Sequence, residues 1–129
     1  MKELLNTIKK YDFEDYAMMN VVTKKEGQNF LDWLCERDLI NEGRIRILKD
    51  RWDADYFGHA QHVVVDGNVF HLVTLLSPVW MVLIHEVAHC LVFKCDPEWA
   101  QAHVNSHGKE FEKALLTAYF LYKDFKGAF

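Results

Sequence analysis

Residues 77–94 read SPVWMVLIHEVAHCLVFK, and the fold of the chain turns on how this stretch is read. Ser77-Pro78 announces a helix, because a serine hydroxyl can satisfy free backbone N–H groups and proline's fixed φ suits the first helical position. Asp96-Pro97 ends it after about Lys94, since the residue before a proline is driven out of helical geometry. Between these signals, Val79, Trp80, Met81, Val82, Leu83, Ile84, Val87, Leu91, Val92 and Phe93 leave almost no polar face. Such a helix is expected to lie buried against a sheet. His85, Glu86 and His89 interrupt it. An unpaired glutamate in that setting costs several kcal/mol, so something must compensate Glu86.

A metal ion is one compensation. His85 and His89 are four residues apart, which on an α-helix brings both imidazoles to one face and within reach of a common point. Glu86, one step round the helix, can then take a proton from a water bound to that metal, which is the physical content of the H-E-x-x-H pattern. A catalytic zinc needs a third protein ligand and an open position. The downstream stretch AHVNSHGKEF, residues 102–111, offers His103, His107 and Glu110. Val92 and Cys95 stand where the long metzincin signature has its glycine and third histidine, which excludes that signature. The bland alternative has Glu86 paired with Arg44 or Arg46 and the histidines serving as satisfied core residues.

Working outward, NVFHLV and HVVV flank Asp66-Gly67, a strong hairpin signal because both residues tolerate positive φ. RIRIL, residues 44–48, alternates charged and apolar side chains as a half-buried strand does. A small antiparallel sheet is therefore expected in the middle of the chain. Residues 2 to about 40 read as helical: Asp12 can cap a segment reaching Val22, and Gly27 separates it from QNFLDWLCERDLI, where Phe30, Leu31, Leu34 and Cys35 share a core-facing stripe. A last helix is expected from about Lys109 to Phe125, burying Phe111, Ala114, Leu115, Ala118, Tyr122 and Phe125. The class is α+β, in one domain spanning residues 1–129, with an N-terminal helical part (1–42) and a zinc-site core (44–125).

Composition narrows the function. Half the 129 residues are hydrophobic and 14% aromatic, with only two prolines, which argues for one folded domain over a disordered chain. The net charge of −4 gives no general attraction to nucleic acid, leaving only a local basic face around Arg44, Arg46, Lys49 and Arg51. Three cysteines, Cys35, Cys90 and Cys95, sit in apolar segments without a C-x-x-C pair, which suggests reduced thiols in a cytoplasm, with Cys90 and Cys95 buried and inert. The apolar run Val79–Ile84 is far below the roughly 20 residues a membrane span needs. His59, His62 and His71 flank or lie within the strands and read as surface or edge residues. His62 and Tyr56 have a second reading, as groups that reach the metal site to polarise a carbonyl or stabilise an oxyanion.

His85-Glu86-Val87-Ala88-His89 followed by His107-Gly108-Lys109-Glu110-Phe111 resembles the SprT-like (Spartan-type) zinc metallopeptidases, whose third zinc histidine lies in an H-G-x-x-F/W element. That resemblance implies His85, His89 and His107 as zinc ligands, Glu86 as the catalytic acid/base, and a zincin-like fold in which helices and a small sheet flank the zinc helix. The expectation is a cytoplasmic zinc-dependent metallopeptidase acting on a protein or peptide. Its rival is a zinc-stabilised, non-catalytic module that binds or regulates a protein partner.

Overall fold

The computed structural model of the chain describes residue 6 and residues 16–48, 57–102 and 107–128. The expectations placed on Asp12, Lys49, Arg51, Tyr56 and His103 lie outside these residues. The first described element is a 3-10 turn, Tyr16–Met19, and helix α1 follows at Lys24–Glu36. Its start is a reciprocal cap: Glu26 N–H donates to Thr23 Oγ1 (3.1 Å) while Thr23 N–H donates to Glu26 Oε1 (3.2 Å). Val22 is therefore not the end of a helix, and Gly27 does not separate two. It lies within α1 on the buried face with Phe30, Leu31 and Leu34. A β carbon at Gly27 would collide with Ile45 Cδ1, so glycine here allows the helix to lie close on the first strand.

Three strands follow, β1 (Glu42–Ile47), β2 (Gly58–Val65) and β3 (Asn68–Leu75), in the spatial order β1-β3-β2. The β2–β3 hairpin is antiparallel and turns at Asp66 (φ 52°) and Gly67 (φ 80°), the two positive φ values that a tight hairpin needs. The sheet is not wholly antiparallel, because β1 pairs with β3 in parallel, Glu42 opposite Phe70 through Ile47 opposite Leu75. The end of β1 and the start of β2 both lie beside Leu75, so the chain leaves β1 at one end of the sheet and re-enters on the far side of β3 at that same end.

Helix α2 (Trp80–Cys95) crosses the inner face of this sheet, and Asp96-Pro97 ends it where expected. Its start differs from expectation. Val79 is the N-cap and no side chain caps the helix. Trp80 N–H donates instead to Asn20 O (3.2 Å), and Val22 N–H donates to Pro78 O (2.9 Å). The extended backbone at residues 20–22 thus takes the part foreseen for Ser77. Asp96 starts the short helix α3 (Pro97–Ala102), its Oδ1 accepting from Trp99 N–H (3.1 Å). Helix α4 (Lys109–Ala128) lies against α2 and buries Phe111, Leu115, Ala118, Tyr119, Tyr122 and Phe125, three residues longer than its expected end and with Ala114 only half-buried. Phe30 of α1, Trp80 of α2 and Phe125 of α4 meet in one aromatic cluster, with Phe30 5.0 Å from Phe125 and 5.8 Å from Trp80 between ring centroids.

The two edges of the sheet are treated differently. At β1 the side chain of Gln28 acts as a fragment of a further strand: its Nε2 donates to Gly43 O (2.9 Å) and its Oε1 accepts from Ile45 N–H (3.0 Å). At β2 no described element pairs with the outer edge. Leu76 N–H donates to Phe57 O, and a two-residue turn joins Val65 to its partner Asn68, so residues 57, 59, 61, 63 and 65 direct their backbone groups toward β3. Gly58, Ala60, His62 and Val64 consequently direct theirs outward. Replacing Gln28 by leucine should leave the Ile45 N–H and Gly43 C=O without partners and destabilise the protein by about 1–3 kcal/mol. Urea unfolding measures this, and an unchanged midpoint would refute the strand-mimic role.

Candidate metal centre

Helix geometry divides α2 into two functional flanks. Val82, Glu86 and Phe93 face β2: a β carbon at Gly58 would lie 2.6 Å from Val82 Cγ1 and 2.9 Å from Glu86 Oε2, and Phe93 stacks on His62 (centroids 4.0 Å apart). His85 and His89 occupy the neighbouring flank, facing the start of α4. There His107 completes a nearly equilateral triangle of rings, with centroid separations of 5.3 Å (His85–His89), 5.1 Å (His85–His107) and 5.2 Å (His89–His107).

One nitrogen from each ring lies within 4.8 Å of the others, close enough to hold a metal ion. The Nε2 atoms of His89 and His107 are 3.3 Å apart. A tetrahedral ion with metal–nitrogen bonds of about 2.0–2.1 Å places its ligand nitrogens about 3.3–3.4 Å apart, so this pair needs no rearrangement. Phe111, one turn along from His107, supports all three rings at centroid distances of 5.0 Å (His85), 4.4 Å (His89) and 4.4 Å (His107). It is itself buried in the core and so fixes where the imidazoles sit.

Glu86 retains only 4% of its exposure. Burial pushes its carboxyl up to about 8. Among the described residues no lysine or arginine pairs with it. The arginines considered as partners are engaged on the other face of the sheet, Arg44 with Glu42 Oε1 (3.0 Å) and Arg46 with Thr74 Oγ1 (3.2 Å). The buried ion pair that would make a metal unnecessary is therefore not formed with either. Cys90, behind Glu86, is fully buried, and that burial, reinforced by the Glu86 charge, pushes its thiol far up, so it is inert as expected. Cys95, expected to be buried, is exposed at the end of α2.

Of the downstream ligand candidates, His107 joins the cluster, while Glu110 is exposed and is not part of it. His62 and His71 are the larger surprise. His62 lies on the edge strand β2, as expected, but half-buried and bonded to His71 across β2 and β3, Nδ1 to Nδ1 at 2.9 Å, while His71 is no surface or edge group and is 1% exposed. His62 stacks on Phe93, about two helical turns beyond Glu86, and makes no ring contact with the triad. Two residues of the site escaped the reading of the sequence. Phe111 reads as core, although its i, i+4 spacing from His107 is a usable signal. Gly58 reads as unremarkable, although a glycine opening a strand often marks a close approach.

Searches against family models, curated proteins and solved structures find no match for this chain. No helix among the described residues is long and apolar enough to cross a membrane.

Equilibrium dialysis, with zinc as the probe ion, should find one metal ion bound per chain. Alanine at His85, His89 or His107 should weaken binding at least about 100-fold, whereas Glu110→Ala should leave it unchanged; retention in His107→Ala would exclude the triad. A second prediction concerns pH. Burial holds His62 and His71 at about 4, with His59 adding to the effect on His62, and His62 and Lys94 adding to that on His71. Their unfolded value is about 6.5. The folded pair binds fewer protons between these values, so its stabilisation is present above about pH 6.5 and lost as pH falls through about 4. Glu86, raised by burial, has the opposite sign, so a comparison isolates the histidines. Metal-free wild type should lose more stability than the His62→Phe/His71→Leu variant between pH 7 and 5, by about 2 kcal/mol for His71 and less for the half-buried His62, which solvent screens. Parallel urea-unfolding profiles would contradict it.

Proposed function

We propose that this chain is a zinc-dependent metallopeptidase of the kind its two motifs resemble, the SprT-like enzymes. The observation that carries the reading is the convergence of three imidazoles, two from α2 and one from just before α4, beside a buried carboxyl group borne by the same helix as the first two. Three neutral nitrogen donors suit zinc, and an all-histidine set leaves a fourth position open. Zinc held there supplies Lewis-acid chemistry, polarising a substrate carbonyl and making a water acidic near neutral pH.

The chain's own groups do the rest. His85 and His89 are set by one turn of α2, and His107 closes the triad from the start of α4. Glu86 accepts the proton of the attacking water at its carboxylate and delivers it to the leaving amine, general acid–base work that contributes about 10²–10⁴-fold. The raised affinity of its carboxyl for a proton suits this two-way transfer. The open edge of β2 offers outward backbone groups at Gly58, Ala60, His62 and Val64 to an extended peptide, which would add to the sheet as a further strand. Gly58, packed on Glu86, marks where that peptide comes nearest the carboxylate. Three free thiols favour a reducing compartment such as the cytoplasm.

Glu86→Gln should bind zinc as the wild type does and retain its fold while losing peptide hydrolysis by about 10²–10⁴-fold. Peptide cleavage by zinc-loaded protein, with metal content assayed in parallel, is the test. Zinc binding without hydrolysis in the wild type, together with partner binding indifferent to Glu86→Gln, would leave the zinc-stabilised binding module in its place.

A further inference from the structure

The His62–His71 pair has a defined direction. Asn41 N–H donates to His71 Nε2 (3.1 Å), so that nitrogen carries a lone pair, and the proton of a neutral His71 resides on Nδ1. His71 Nδ1–H then donates to His62 Nδ1 (2.9 Å), which in turn places the proton of His62 on Nε2. One backbone amide in the α1–β1 connection thus sets the tautomer of a ring two strands away. His62 Nε2–H has no hydrogen-bond partner among the described residues. Because Nδ1 is turned toward β3, Nε2 lies on the opposite side of the ring, toward the open edge of β2. Stacking on Phe93 of α2 holds the ring plane in place. His62 is half-buried, so this donor sits at the border between the core and whatever occupies the edge.

Register adds the second half of the argument. In a strand added to β2, the residue directly opposite His62 presents its side chain on the same face as His62, with Cβ atoms about 4.5–5.5 Å apart. The residue opposite Gly58, four positions away, is the one beside Glu86. We infer that His62 is a specificity-determining residue, donating its Nε2–H to an acceptor side chain, that of Asn, Gln, Asp or Glu, carried by an extended peptide four residues from the position beside Gly58. The inference rests on the peptidase reading and names the class of substrate that reading requires. A site built around a fixed donor discriminates against a side chain that leaves the donor unsatisfied.

The test is cleavage of a positional-scanning library of extended peptides by zinc-loaded wild type and His62→Phe, which keeps a ring to stack on Phe93 but lacks the donor. Wild type should favour an acceptor at one position about four residues from the cleaved bond by about 5–10-fold in kcat/KM over alanine. His62→Phe should lose that preference, its kcat/KM for the acceptor peptide falling to that for the alanine peptide, while binding zinc as the wild type does. A second measurement does not depend on that variant folding. Imidazole ¹H–¹⁵N spectra of the inactive Glu86→Gln protein should show His62 as the Nε2–H tautomer, with that resonance shifting when a glutamine-containing peptide binds and not when its alanine counterpart does. Cleavage with no preference at that position, a preference that survives in His62→Phe, or an Nδ1–H tautomer at His62 overturns the inference and leaves the peptidase reading standing. Failure of the wild type to cleave or bind any peptide overturns both.

Discussion

A carboxyl group packed against strand backbone in the middle of the most apolar helix is the constraint around which this molecule is arranged. Glu86 is held by Gly58, whose lack of a β carbon gives the carboxylate its space, and by the core that surrounds α2 on its other sides. Water does not solvate such a group freely, and the described residues supply no cation to it. In an apolar interior the ordinary outcome is that the carboxyl keeps its proton, which is the direction found here. A dication at the neighbouring histidines would reverse that preference through charge alone. The position is costly for a structural residue and well suited to one that must hold and release a proton beside a metal.

The part of this arrangement legible in the sequence is the part that is local. His85, Glu86 and His89 lie on one helix, and their conflict with the apolar residues around them is visible without coordinates. His107 depends on how the start of α4 packs against α2, so spacing alone leaves His103 open beside it and Glu110 as a second choice, and only the paired motifs favour it. Gly27 reads as a break between two helices because a glycine is a poor helix former; its packing against Ile45 is a tertiary fact that overrides the propensity, and the helix starts at the Thr23–Glu26 capping box instead. The alternation of RIRIL revealed a strand but carries no information about its partner's direction, hence the parallel pairing. His71 looked like an edge residue because its compensating bonds come from His62, nine residues away, and from the Asn41 amide, thirty away.

The unequal treatment of the sheet's edges follows from the same logic. An exposed strand edge invites unwanted pairing, and proteins usually cover it or break it. At β1 the cover is a single side-chain amide from α1, which satisfies one donor and one acceptor of the edge. At β2 no described element offers such a cover, although Val63, Val64 and Val65 are all exposed along it. The open edge is also the one that begins on Glu86. Among the described residues this edge has no cover and runs away from the candidate metal centre, the geometry that the proposed recognition of an extended chain would use.

The origin of the third imidazole explains why α4 belongs to the site at all. Two histidines four apart exhaust what one helix can direct at a single point, so any third donor must arrive from another element, and His107 brings its ring to 5.1 Å from that of His85 and 5.2 Å from that of His89. An exposed residue at the start of a helix is a poor anchor by itself, and His107 is exposed. Its position is governed by Phe111, on the same face one turn on, which the core holds and on which His107 stacks at 25° between ring planes. The same ring contacts His85 and His89. Packing of one apolar side chain is thereby converted into the placement of three polar ones, and the metal-binding geometry is inherited from the hydrophobic core without needing stiffness of its own.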